Sequence, residues 1–253
     1  MSRFCKFLAL FLVVLPMGLQ ASTGELKLDP APKEKFSDLL ALQRGAKVFV
    51  NYCLNCHGAS YMRYNRLQDI GLTDDQIRDN LLFSAEKVGE PMRVALQRDD
   101  GNQWFGAAPP DLTLIARSRA SEFGSGADWL YTYLRSFYRD SARPTGWNNV
   151  VFPNVGMPHV LWELQGTQEA EHKMAKDAHG HETSETELKI VEPGKMSKAE
   201  YDSMVGDLVA YLVYMGEPAA ETRKKLGIIV IAFLAFFAVL SYLLKREYWK
   251  DIH

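Results

Sequence analysis

Apolar residues recur at helical spacing in several stretches of the chain, and no strong run alternates as a half-buried strand requires. From Phe36 to Tyr52 the positions Leu39, Leu42, Ala46, Phe49 and Val50 fall on one side of a helix, with Ser37 as its candidate cap. Gly45 sits inside it at a cost of about 1 kcal/mol against alanine, which a close helix crossing would explain. Thr73-Asp74-Asp75-Gln76 is a capping box that opens a short helix to about Leu82. Residues 84 to 110, with Pro91, Gly101, Gly106, Pro109 and Pro110, read as irregular. Asp111 to Arg119 and Ala127 to Arg139 read as two further helices, the second carrying Trp129, Leu130, Tyr133, Leu134 and Phe137 as an apolar stripe. Ser197-Lys198-Ala199-Glu200 is another capping box; its helix runs to Met215 and buries Tyr201, Met204, Val205, Leu208, Val209 and Leu212. Residues 166 to 195 are polar and acidic and contain His172, His179 and His181, the composition of a solvated loop or hairpin rather than a metal site. With no repeat and no strong strand run, the expected fold class is all-α.

The two ends add a membrane address. Residues 1–21 hold Arg3 and Lys6, an apolar run from Phe7 to Leu15, the breakers Pro16 and Gly18, and the small Ala21. This is the pattern of a cleavable signal peptide, too short in its apolar part for a span. Leu226 to Leu244 is nineteen residues without a charge, and at about 1.5 Å per residue it covers roughly 28 Å, close to a hydrocarbon core of ~30 Å. Basic residues flank both sides, so the signal peptide sets the orientation. The expected organisation is signal peptide 1–21, exported domain 22–220, transmembrane anchor 221–246 and cytoplasmic tail 247–253. The whole chain carries a formal charge of −2; loss of 1–21 removes two cations and no acid. No basic arm is present, and nucleic acid is not an expected partner.

Of three cysteines, Cys5 would leave with the signal peptide. The other two lie in Cys53-Leu54-Asn55-Cys56-His57, the C-x-x-C-H attachment pattern of a c-type haem. Two thiols three positions apart can reach two vinyl groups on one porphyrin edge, and the next residue can offer an imidazole to the iron. A thioredoxin-like dithiol would sit in a βαβ context, and a zinc site would need a second ligand pair. An electron carrier needs a sixth ligand, and methionine opposite histidine raises the potential. The candidates are Met62, Met92, Met157, Met174, Met196, Met204 and Met215. Met204 and Met215 read as core, and Met62 is too near the attachment point to cross the ring. Met157, between Gly156 and Pro158 in a sharp loop, is either the ligand or a core filler, and His159 is the rival ligand.

The segments QRGAKVFVNYCLNCHG, APPDLTLIARSR and FPNVGMP, followed by TRKKLG and a single anchor, resemble the cytochrome c1 family over nearly the whole chain after residue 21, in its shorter bacterial form. The resemblance implies a class I cytochrome c-like haem domain with insertions plus one C-terminal transmembrane helix. It assigns Cys53 and Cys56 as thioether cysteines of one covalent haem c, His57 and Met157 as iron ligands, Arg119 as partner of a haem propionate and Pro110 as packed on the histidine side. An ordinary surface arginine is the alternative for Arg119. Some family members have a disulfide near the distal ligand; this chain has no cysteine for one, so packing and prolines are expected to stiffen that loop. The implied activity is passage of one electron from a Rieske iron–sulfur protein to a soluble or membrane-tethered cytochrome c. The setting would be a subunit of ubiquinol–cytochrome c reductase, without bond-making of its own. Cytochrome b, a dimeric complex, the bacterial inner membrane and a periplasmic haem domain follow from the same likeness. A monohaem carrier of another oxidase or dehydrogenase, or a haem sensor with an open iron, are the alternatives.

Overall fold

A computed structural model describes residues 26–176 and 182–250. The expected signal peptide, His179 and His181 lie outside the described residues, as does the His172 side chain. The chain enters through a 3-10 turn, Lys33–Ser37, into helix α1, Leu39–Val48. Asp38, not Ser37, caps α1: its carboxylate accepts the Leu40 amide, and its charge faces the positive helix end. One widened π turn, Phe49–Cys53, follows directly. Strand β1, Ala59–Arg63, pairs with β2, Pro91–Met92, around a 3-10 turn, Tyr64–Ile70, and helix α2, Asp74–Asn80. The Thr73–Gln76 capping box forms as expected.

The stretch read as irregular contains a helix, α3, Arg98–Phe105. Its Gly106 adopts φ 77°, a left-handed stop at a helix end rather than a sign of loop. Helix α4 is only Ile115–Ser118, because Asp111 to Leu114 is tied elsewhere. Helix α5, Gly126–Arg135, opens on a capping box between Ser125 and Asp128 and ends four residues earlier than expected. Its continuation becomes β3, Phe137–Arg139, paired with β4, Trp147–Asn149. A turn of helix, α6, Trp162–Gln165, leads into a hairpin of β5, Gly166–Lys176, and β6, Glu182–Pro193. Helix α7, Lys198–Gly216, starts at the predicted Ser197–Glu200 box, and α8, Ala220–Tyr248, follows Pro218.

The all-α expectation is therefore corrected: the chain is mainly helical with three two-stranded antiparallel ribbons among the described residues. The short ribbons span too few residues to show period-two alternation. The hairpin has polar positions on both faces, so no apolar stripe marks it. Its root is sealed by buried Gln168, whose amide donates to the carbonyls of Arg135 and Phe137.

The core is organised by α1 crossing α7. Gly45 is the contact: a methyl group there would overlap the Asp207 carbonyl and lie 2.8 Å from the Tyr211 Cβ. Beside it the Asp207 carboxylate, 4% exposed, takes Lys35 Nζ at 2.8 Å and Arg44 Nε at 2.6 Å. Two cations and three donated hydrogen bonds compensate the charge that α7 buries. Helix α8 is 29 residues long and leaves its apolar side chains exposed, so it is long and apolar enough to cross a membrane.

A second organising element is Asn149, fully buried at the end of β4. Its amide donates to the Tyr133 carbonyl at 2.8 Å, and its oxygen accepts the amides of Val151 and Phe152 at 2.9 and 3.1 Å. Asn148 does the same for Asn154, whose φ of 63° is left-handed, and Arg143 donates to the Asn154 side chain and carbonyl. The loop after β4 is thus tied to α5 by asparagine amides, in addition to the packing and prolines expected.

Two outcomes follow. Gly45→Ala should lower stability by about 1–3 kcal/mol despite alanine's better helix propensity, read as a lower melting temperature of the solubilised protein. Asn149→Ala should strand buried donors and acceptors at about 1–3 kcal/mol each, and the Val151 and Phe152 amides should exchange hydrogen faster.

Candidate haem site

The π turn places the C-x-x-C-H segment at the end of α1. Leu54 N–H donates to Phe49 O at 3.0 Å, and the Cys56 and His57 amides both donate to Cys53 O, at 3.1 and 2.8 Å. Such widened turns frequently mark functional sites. Cys53, Cys56 and His57 line one cavity of about 430 Å³. Both cysteines are free thiols, and burial, then the neighbouring Cys56, pushes the Cys53 thiol up to about 12. The turn closes a helix and does not follow a strand, so the βαβ setting of a thioredoxin-like dithiol is not present here.

His57 is oriented by Pro110. Its Nδ1 lies 2.8 Å from the Pro110 carbonyl, which can only accept, so Nδ1 carries the proton and Nε2 keeps its lone pair. Burial lowers the imidazole pKa, against weaker opposing effects of that carbonyl and of Asp111, which favours the neutral ring a metal needs. Pro110 is held in turn by Asp111. Its carboxylate accepts the Ser60 amide at 2.7 Å and the Thr113 amide and hydroxyl at 2.9 and 2.6 Å, while Leu112 N–H donates to Gly58 O. Burial raises the Asp111 pKa, but these donors from Thr113 and Ser60 outweigh it and keep the group low. The APPDL segment is therefore a clasp that closes on the residues just after His57. Sequence reading named Pro110 but missed Asp111, since its bond to Ser60 reaches across 51 residues.

Met157 also lines the cavity, and among the described residues it is the only methionine to do so. Gly156 lets the loop approach α3: a methyl group there would stand 2.8 Å from the Phe105 carbonyl oxygen. Met62, Met92 and Met215 are buried in the protein core, Met196 and Met204 pack on it, and the Met174 side chain lies outside the described residues. The rival His159 is 3% exposed and turned away from the cavity: its ring stacks on Phe137 at 4.9 Å and meets Trp147 edge-on at 5.1 Å. Burial drives its pKa down to about 4.

The remaining wall is apolar, with Leu130 and Leu134 from α5 and Leu208 and Leu212 from α7, as the stripes on these helices predicted. Arg119 lines it too. Its guanidinium lies 4.6 Å from the Trp129 ring and 5.5 Å from Phe152, and its buried Nε has no hydrogen-bond partner. A buried donor left open on an apolar cavity calls for an acceptor that the protein does not supply. Two thiols, a lone-pair imidazole, a thioether and an arginine with an unsatisfied Nε around an apolar space fit a haem with its propionates. A zinc site does not fit, as no group of three or more His, Cys, Asp or Glu side chains converges among the described residues.

The family model described as "Cytochrome C1 family" matches residues 32–252. A protein of Allochromatium vinosum named "Cytochrome c1" is 49% identical over 247 residues, covering 97% of this chain and 98% of its own length. A protein of Nitrosomonas europaea named "Ammonia monooxygenase gamma subunit" is 48% identical over 251 residues, covering 99% of this chain and 100% of its own length. The mitochondrial haem protein cytochrome c1 of Saccharomyces cerevisiae is 24% identical, over 87% of this chain and 70% of its own. A match that runs from the C-x-x-C-H turn through the clasp and the Met157 loop into the last helix includes every part of the site, and the chain belongs to the cytochrome c1 family.

Proposed function

We propose that this chain is the electron-transfer subunit of a ubiquinol–cytochrome c reductase, accepting one electron from a Rieske iron–sulfur protein and delivering it to a cytochrome c. The observation that carries the reading is the cavity shared by Cys53, Cys56, His57, Met157 and Arg119, whose Nε has no hydrogen-bond partner among the described residues. A single covalent haem c, when bound, supplies a one-electron iron couple. Cys53 and Cys56 would tether it by thioethers. His57 Nε2 and the Met157 sulfur would hold its iron, and two protein donors to the iron favour an electron carrier over a sensor. Arg119 would neutralise a propionate, Pro110 holds the histidine ring, and the leucines exclude water so that little rearranges between oxidation states. Phe152 lines the cavity and is 44% exposed, offering an apolar contact between the site and a docking partner.

Residues 22–220 would stand in the periplasm, 221–246 would anchor them in a bacterial inner membrane, and 247–253 would face the cytoplasm. Cytochrome b, the Rieske subunit and a second copy of the complex would be its neighbours. The likeness to proteins named cytochrome c1 favours this reading over a carrier for another oxidase or dehydrogenase.

Isolation from native membranes in mild detergent should bring down a cytochrome b and a Rieske protein with covalently attached haem; a preparation lacking both partners overturns the assignment. Met157→Leu should abolish the ferric thioether–iron absorption band and lower the potential by on the order of 100 mV, part of the ~0.8 V that axial ligands span. Because the domain is slightly acidic, raising ionic strength should slow reduction of an added basic cytochrome c, measured by stopped flow.

A further inference from the structure

The geometry points to Tyr133 as the positioning residue for the distal ligand: its phenol hydroxyl donates to the Met157 sulfur and thereby sets the sulfur's orientation and donor strength. The inference rests on Met157 being an axial ligand, as proposed above.

The hydroxyl lies 3.3 Å from Met157 Sδ, and no other partner engages it among the described residues. A phenol at neutral pH is a donor, and a thioether can only accept. One sulfur lone pair is then engaged by the hydroxyl and the other is left for a metal, which restricts how the side chain can present itself. Met157 is otherwise the least determined part of the site, since an unbranched thioether rotates about three bonds.

The tyrosine is itself held on every side. Its ring stacks on Trp129 at 4.8 Å and 13°, and Phe137 meets it edge-on at 5.0 Å. Trp129 carries the Arg119 guanidinium on its ring at 4.6 Å. The Tyr133 carbonyl accepts the Asn149 amide, so the residue that ties down the distal loop also pins the tyrosine backbone. Arg119, Trp129, Tyr133 and Met157 thus form one contiguous series from the guanidinium to the sulfur.

The electronic consequence has a definite sign. A hydrogen bond to sulfur withdraws the electron density with which the thioether supports ferric iron. The oxidised state loses more from this than the reduced state, and the potential rises. Removing the hydroxyl should therefore lower the midpoint potential.

Tyr133→Phe keeps both ring contacts and deletes only the hydroxyl. In the purified complex it should shift the electron-exchange equilibrium of the site three- to tenfold toward the oxidised form, about 30–60 mV at 59 mV per tenfold for one electron. The ferric thioether–iron band should move or change in intensity. Tyr133→Leu, which also removes the ring, should shift the potential in the same direction, and a potential restored to wild type by Phe but not by Leu would reduce Tyr133 to a packing role. In a Met157→Leu background Tyr133→Phe should have no further effect; an equal shift there means that the hydroxyl acts without the sulfur and overturns the inference. If Met157→Leu alone leaves band and potential unchanged, the ligand assignment fails. If it changes them while Tyr133→Phe changes neither, only the role of Tyr133 fails.

Discussion

Helix α1 can lie directly on α7 because residue 45 has no side chain, and most of the molecule is arranged around that crossing. The approach brings Gly45 against the Asp207 backbone and holds the end of α1, with its cysteine turn, beside Leu208 and Leu212. The ion cluster at Asp207 locks the register. A buried carboxylate with only one cation would be costly, whereas Lys35 and Arg44 together satisfy it only when both the N-terminal turn and α1 are seated on α7. Sliding either element by one turn would leave the buried carboxylate with only one of its two cations. The crossing therefore selects one arrangement as much as it stabilises it.

The two sides of the cavity are secured by different means. On the histidine side a carboxylate clasp joins Asp111 to Ser60 and Thr113, so that a carbonyl without a competing donor on its own nitrogen, that of Pro110, is aimed at Nδ1. Proline suits this place because its missing N–H leaves nothing unsatisfied. On the methionine side the support is neutral and comes from asparagine amides, each of which can donate and accept at once. Asn149 couples α5 to the loop after β4, so the aromatic series and the thioether move together or not at all. A loop that lacks a disulfide is thus tied through its backbone.

Electrostatics inside the cavity follow from its apolar lining. The Arg119 guanidinium lies beside leucines with the Trp129 and Phe152 rings near it, and such rings attract a cation without neutralising it. Burial depresses the imidazole pKa of His57 and raises the thiol pKa of Cys53; both shifts favour uncharged forms in a site of low polarity.

The chain by itself determined what is local. The C-x-x-C-H pattern, two of the three capping boxes of the longer helices, the apolar stripes of α5 and α7 and the uncharged terminal segment each depend on neighbours a few residues away, and each was legible. Met157, Arg119 and Pro110 were reached through a resemblance, and the structure brings them to the cavity of Cys53, Cys56 and His57. What tertiary structure decided is long-range. Asp38 replaced Ser37 as cap, and α3 emerged where glycines and prolines suggested loop. The α5 pattern broke at Ser136 because Phe137 to Arg139 gained a strand partner ten residues on. His159 and Met157, two residues apart and chemically interchangeable as candidates, were separated only when one ring was stacked in the core and one sulfur reached the cavity. The bonds from Ser60 to Asp111, from Asn149 to the Tyr133 carbonyl and from the Tyr133 hydroxyl to Met157 carry no local signature, because each joins residues distant in sequence and exists only once the backbone has brought them together.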